Sequence, residues 1–240
     1  MLRNTLVAVA IMSLAAVSGA QESAEEDEGP WSGKLSLGYL STAGNTETTS
    51  YNTSFEVGWA QNDWEHLFKG SSTGADESEE TTAESYRLGW RSAYNFTERD
   101  FIFGTIDWRK DRFAGVVEQL AYAVNYGRTV IDRPDHILAL GIGVGYRDSD
   151  RADGTSSDTA IGRGTLAYDW IWSETSSFEQ DLIVESGSDN TYIESISAVR
   201  AQLIGDFALV LSYTIKHNTD VPVGTEKRDT QTAVSVEYAF

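Results

Sequence analysis

The stretch TAVSVEYAF, Thr232 to Phe240, alternates strictly. Thr232, Val234, Val236, Tyr238 and Phe240 fall on one face, with Gln231, Ser235 and Glu237 on the other. Period-2 patterning of this kind is that of a β-strand with two unlike faces. The last residues of a soluble domain are usually polar and poorly held. An ordered, apolar-faced final segment makes physical sense if it pairs with the first strand, because closing a sheet removes both free edges.

Working outward, the same alternation recurs from Trp31 onward. A first segment sets Trp31, Leu35, Leu37 and Tyr39 against Lys34 and Ser36. A second sets Tyr51, Thr53, Phe55, Val57 and Trp59 against Asn52, Ser54 and Glu56. Further along, Tyr86, Leu88, Trp90 and Tyr94 oppose Arg87 and Arg91, and Leu166, Tyr168, Trp170 and Trp172 oppose Arg163 and Asp169. Near the end, Phe207, Leu209, Leu211, Tyr213 and Ile215 oppose Ser212 and Lys216. The third, fifth, seventh and tenth segments are noisier, and FIFGTIDW reads in either register. Twelve segments result, and no stretch shows a sustained helical period.

The connections alternate too. Those after even segments are tight (QND, FTER, DRP, SETS, GD), and those after odd ones are longer and polar, such as STAGNTET and RDSDRADGTSSD. An even number of strands with short turns at one end and longer loops at the other is the pattern of a transmembrane antiparallel up-and-down β-barrel. Hydrocarbon offers backbone groups no partners, so a sheet crosses it only when closed. A soluble β-sandwich would alternate as well. Against it, Trp31, Trp59, Trp64, Trp170 and Trp172 gather at the short-turn ends, as an interfacial aromatic girdle requires. Trp108 and Tyr39 near the other ends would serve the opposite girdle.

The rest of the chain bears on address. Residues 1–20, MLRNTLVAVAIMSLAAVSGA, have an early positive charge, a short apolar run and small residues before Gln21, which reads as a secretory signal peptide. Residues 21–30, acidic and aperiodic, form a lead-in, and 31–240 form the barrel. With no cysteine, the exported fold rests on hydrogen bonding and burial. The formal net charge of −19, which loss of Arg3 would deepen by one, argues against nucleic acid as a partner and against docking on anionic lipid through a basic patch.

The segment WSGKLSLGYLSTAGNTETTSYNTSFEVGW, with Gly44–Thr46 in its first connection, resembles the opening of the DUF481 family, salt-induced outer membrane proteins of Gram-negative bacteria. The resemblance implies an outer-membrane barrel, with membrane lipid and lipopolysaccharide as surroundings and a link to salt or envelope stress. It implies no defined activity and no catalytic residues. The ending at Tyr238 and Phe240 also resembles the C-terminal signal that outer-membrane assembly machinery reads.

Few residues suggest chemistry. His66, His136 and His217 lack a sequence-adjacent serine partner, and no G-x-S-x-G occurs, so a His-based lipid-modifying enzyme is the distant alternative. Asp148, Asp150, Asp153 and Asp158 share one polar stretch but miss the spacing of a calcium loop, a weak metal candidate. GIGVGY, Gly141–Tyr146, lies inside a strand and opens no helix, so its glycines are read as relieving curvature. No cofactor is expected. The inward faces carry the remaining charges: Lys34, Glu56, Arg87, Arg91, Asp107, Arg109, Arg163, Asp169, Glu179, Asp181, Glu185, Glu194, Arg200, Lys216 and Glu237. Two readings of this lumen stay open: opposite charges pair and plug it, or a water-filled lumen passes ions or small polar solutes across a transverse field.

Overall fold

The computed structural model describes residues 29–42, 48–77, 80–112 and 114–240. The expected signal peptide at 1–20, most of the expected acidic lead-in at 21–30, and Gly44–Thr46 lie outside them. The strands are β1 (Trp31–Thr42), β2 (Thr48–Gln61), β3 (Trp64–Glu77), β4 (Glu80–Asn95), β5 (Asp100–Asp111) and β6 (Val116–Asp132). They continue as β7 (His136–Arg151), β8 (Ser156–Ser173), β9 (Ser176–Gly187), β10 (Thr191–Ile204), β11 (Phe207–Asn218) and β12 (Arg228–Ala239). Each pairs antiparallel with its sequence neighbour and β12 returns to β1, giving a closed barrel. Among the described residues there is no helix.

The short turns follow local chemistry. Gln61 pairs with Trp64 across Asn62–Asp63, and Asn62 takes φ 55°, which asparagine tolerates. Gly205, at φ 54°, plays the same part between β10 and β11. At the other end the structure corrects the expected loops. Crossing a membrane takes about 9–11 residues per strand, whereas β4, β6, β7 and β8 run to 16, 17, 16 and 18. The surplus continues past the apolar belt as strand, so the β7–β8 connection shrinks to residues 152–155.

The faces separate as the alternation predicts. Ile142 and Val144 on β7 are 69% and 72% exposed, and Val124 on β6 is 66% exposed, pointing outward with nothing over them. In β5 the ambiguous register resolves with Phe101, Phe103, Thr105, Asp107 and Arg109 inward and Ile102 and Ile106 outward. Aromatic rings collect at the short-turn end. His66 lies against Trp59 at 5.2 Å and Trp64 at 5.9 Å, and His136 stacks on Trp170 at 5.6 Å.

The seam is the shortest ladder in the sheet. β1 and β12 pair over Lys34–Leu37 and Val236–Ala239, and beyond them Gly33 and Phe240 exchange backbone hydrogen bonds of 2.7 and 2.9 Å. The Phe240 ring covers Gly33, where a Cβ would meet its tip at 2.2 Å. Toward the long-loop end, the Val234 carbonyl sits where a Gly38 Cβ would project, at 2.3 Å. Gln231 there donates to Thr73 of β3 at 3.0 Å, so β12 leans into the lumen past β1 and β2. Gly38→Ala is therefore expected to destabilise the barrel by about 1–3 kcal/mol, the usual cost of overpacking. Gly33→Ala should cost less, because a terminal phenyl can swing aside and a strand carbonyl cannot. Urea unfolding in lipid vesicles compares the two, and equal costs would contradict this account of the seam.

Candidate functional site in the barrel lumen

The site is built by inward side chains that alternate with the outer apolar belt. At mid-height they form a connected ring of charges. Glu185 of β9, fully buried, accepts from both terminal nitrogens of Arg109 of β5 at 3.2 Å and from Arg163 of β8 at 3.0 Å. Arg163 also donates to Asp107 at 2.7 Å, and Arg87 of β4 lies 3.6 Å from the same carboxylate. Arg87 in turn bonds Glu194 of β10. Tyr192 donates to Glu194 at 2.8 Å, and the Arg109 guanidinium lies 4.5 Å from the Tyr192 ring centre, which completes the circuit. Charge-assisted, partly bidentate contacts of this type are the strong ones. Buried charge is tolerated only when so paired.

Strand order shows what the ring does. β4 and β10 stand six places apart in a ring of twelve, so the Arg87–Glu194 pair crosses the full lumen. Lys216 of β11 and Asp111 of β5, also six places apart, approach to 3.4 Å above it. Two interior cavities result, of about 220 and 300 Å³. Their linings share only Arg87, Glu194 and Ile196. The lower chamber, toward the short turns, is charged: Lys34, Glu56, Lys69, Arg91, Asp169, Glu179 and Asp181 line it. The upper chamber is lined mainly by hydroxyls and amides, including Ser36, Asn52, Ser54, Ser71, Thr73, Ser212, Thr214 and Gln231.

The inward charges named from the sequence thus fall into groups. Arg87, Asp107, Arg109, Arg163, Glu185 and Glu194 form the ring. Lys34 reaches Glu179 at 3.7 Å, and Arg200 bonds Glu237 at 2.8 Å. Glu56, Asp169 and Asp181 line the lower chamber and make no ion pair among the described residues. Arg91 lies 4.8 Å from the Phe103 ring centre and 3.7 Å from Glu65.

Sequence reading missed several members. Arg147, fully buried, opens the polar run RDSDRADGTSSD expected as a loop, yet it continues the inward register of β7 and donates to Asp189 at 3.0 Å and to the Asn190 carbonyl at 2.8 Å. Its signal was parity: it lies an even number of residues from Ile137 and Ala139, both inward. Tyr192, Glu65 and Lys69 were hidden in the noisier strands. Gly143 also has a clearer reason than curvature, since Asn125 Oδ1 lies 2.3 Å from where its Cβ would stand.

The acidic stretch is a correction. Asp148 and Asp150 belong to β7 and Asp158 to β8, all on the outward face, and only Asp153 lies in the 152–155 turn. Asp158 accepts from Tyr146 and Asp150 from Ser156 at 2.6 Å. The hydroxyl and amide of Thr155 hold the Asp153 carboxyl below the usual carboxylate range. Strand extension spreads these groups along two edges, and among the described residues no cluster could hold a metal ion.

The histidines likewise sit outside the lumen. Cross-strand register does bring Ser92 opposite His66 on the outer face, a neighbour the linear sequence conceals. Yet His66 Nδ1 has no hydrogen-bond partner among the described residues, and its ring stacks with the tryptophans rather than bonding Ser92 as an activated serine requires.

A closed twelve-stranded antiparallel barrel with an apolar exterior and a charged lumen defines the class: a transmembrane β-barrel. The model of DUF481, a protein family of unknown function, matches residues 35–240, and the chain belongs to that family. YdiY of Escherichia coli (strain K12), described as uncharacterized, is 28% identical over 212 residues, covering 88% of this chain and 84% of YdiY. Among solved structures, an outer membrane channel from Pseudomonas putida F1 superimposes with a TM-score of 0.52 at 10% identity, covering 88% of this chain and 96% of that one. The translocator domain of the autotransporter NalP from Neisseria meningitidis gives 0.50 at 11% identity, covering 88% and 87%. These two likenesses concern the fold.

Proposed function

We propose that the protein is a narrow, non-enzymatic outer-membrane channel for ions or small polar solutes. One observation carries this reading: two chambers with charged, hydroxyl and amide side chains on their walls occupy the lumen and meet at a waist bridged by side chains, and among the described residues no chain segment is folded inside as a plug. Side chains can part where a backbone plug cannot. Outer-membrane lipid and lipopolysaccharide are then the surroundings. The assembly machinery is a partner through Tyr238 and Phe240, following export on a cleaved signal peptide.

The purified barrel, its folding checked by heat-modifiable gel mobility, is expected to give small discrete current steps in planar lipid bilayers. A folded protein that inserts and never conducts would refute the channel. The second reading, a non-conducting structural barrel, would then hold. That reading draws on the same ring, whose Glu185 is wholly buried, as is Arg147 beside it.

A further inference from the structure

We propose that the lower chamber is a binding site for a small zwitterion, a solute carrying one carboxylate and one ammonium group. This deepens the channel reading by naming the solute class that would dwell below the waist. Three observations converge on it. First, Asp169 of β8 and Asp181 of β9 face the chamber and make no ion pair among the described residues, and Asp181 is exposed toward the chamber. Second, Arg91 of β4 lines the same chamber from four and five places away around the ring. Its guanidinium lies over the rings of Phe101 and Phe103, and its one ion pair among the described residues is to Glu65 at 3.7 Å. Third, Thr105 beside it on β5 is only 8% exposed, lines the chamber, and its hydroxyl has no partner among the described residues. A buried hydroxyl without a partner carries a desolvation cost that a bound acceptor would relieve.

The two walls therefore offer complementary halves. A planar, pre-oriented guanidinium and a free hydroxyl suit a carboxylate. The unpaired aspartates opposite suit an ammonium. Glu56 stands across from Lys69 on the neighbouring strand. Their mutual proximity leaves Arg91 and Thr105 to receive the anionic end. A solute with only one charge would satisfy one wall and leave the other uncompensated, so both charges are needed for tight binding.

Calorimetry on the folded barrel in detergent, which needs no conduction, tests the site with the series glycine, 4-aminobutyrate and 6-aminohexanoate, against hexanoate and hexylammonium. At least one zwitterion should bind saturably and about tenfold tighter than either singly charged control, the difference of one charge-assisted contact. Asp169→Asn with Asp181→Asn should weaken that zwitterion about tenfold and leave hexanoate unchanged, while Arg91→Gln should weaken it and leave hexylammonium unchanged. Unaltered heat-modifiable mobility certifies each variant's fold. Hexylammonium binding as tightly as every zwitterion, or no zwitterion binding at all, would overturn the proposal. Binding without current steps would refute the channel and leave the site standing.

Discussion

Replacing Glu185 with alanine is expected to destabilise the barrel by about 3–5 kcal/mol, the cost of stripping the partner from buried charges. Glu185 is the common acceptor of Arg109 and Arg163, and Arg147 lies 3.9 Å away. All four residues are 9% exposed or less. Removing the carboxylate leaves Arg109 with a Tyr192 ring and no hydrogen-bonded anion, and Arg163 with Asp107 alone. Neither guanidinium can lose its proton, so the charge stays and the repulsion stays with it. Glu185→Gln keeps an acceptor oxygen and should fall between alanine and the parent. Urea unfolding in lipid vesicles, with both limbs shown to be reversible, measures the loss. A cost below about 1 kcal/mol, the range of exposed pairs, would mean that water reaches the ring.

The second large effect concerns the waist. Exchanging both Arg87 and Glu194 for alanine is expected to raise unitary conductance severalfold, because this pair spans the barrel's diameter where the two chambers meet. The double variant should also be more stable than either single one. Arg87→Ala leaves Glu194 with only the Tyr192 hydroxyl, and Glu194→Ala leaves Arg87 with Asp107 at 3.6 Å, already committed to Arg163. A buried charge without its partner costs more than a pair removed whole. Conductance unchanged in the double variant would locate the resistance elsewhere, with Lys216 and Asp111 the next crossing to remove.

Much of this architecture is legible residue by residue. The faces of β1, β2 and β12 follow from which of two adjacent side chains is apolar, because successive residues of a strand point to opposite sides. Leu35 against Lys34, or Val236 against Glu237, is a local choice that no distant residue reverses. The same logic places Arg87, Arg163 and Glu194 inward. It falters in β7, where alternating glycines blur the period before Arg147, and in the acidic run that looks like loop and is partly strand. Strand continuation above the belt depends on neighbouring strands to pair with, which composition does not encode.

What the sequence determined by itself is therefore the number of strands, the two faces and the closing of the last strand on the first, since each is written in a two-residue period and in turn chemistry. What only the tertiary structure decided is which charges meet. Arg87 finds Glu194 107 positions later, and Lys34 finds Glu179 on a strand four places away around the ring. Those encounters depend on the stagger of all twelve strand registers together and on the width of the closed barrel. The inward lean of β12 at Gly38 is of the same kind. A pleat is a property of neighbours along the chain, whereas a partner across a lumen is a property of the whole ring.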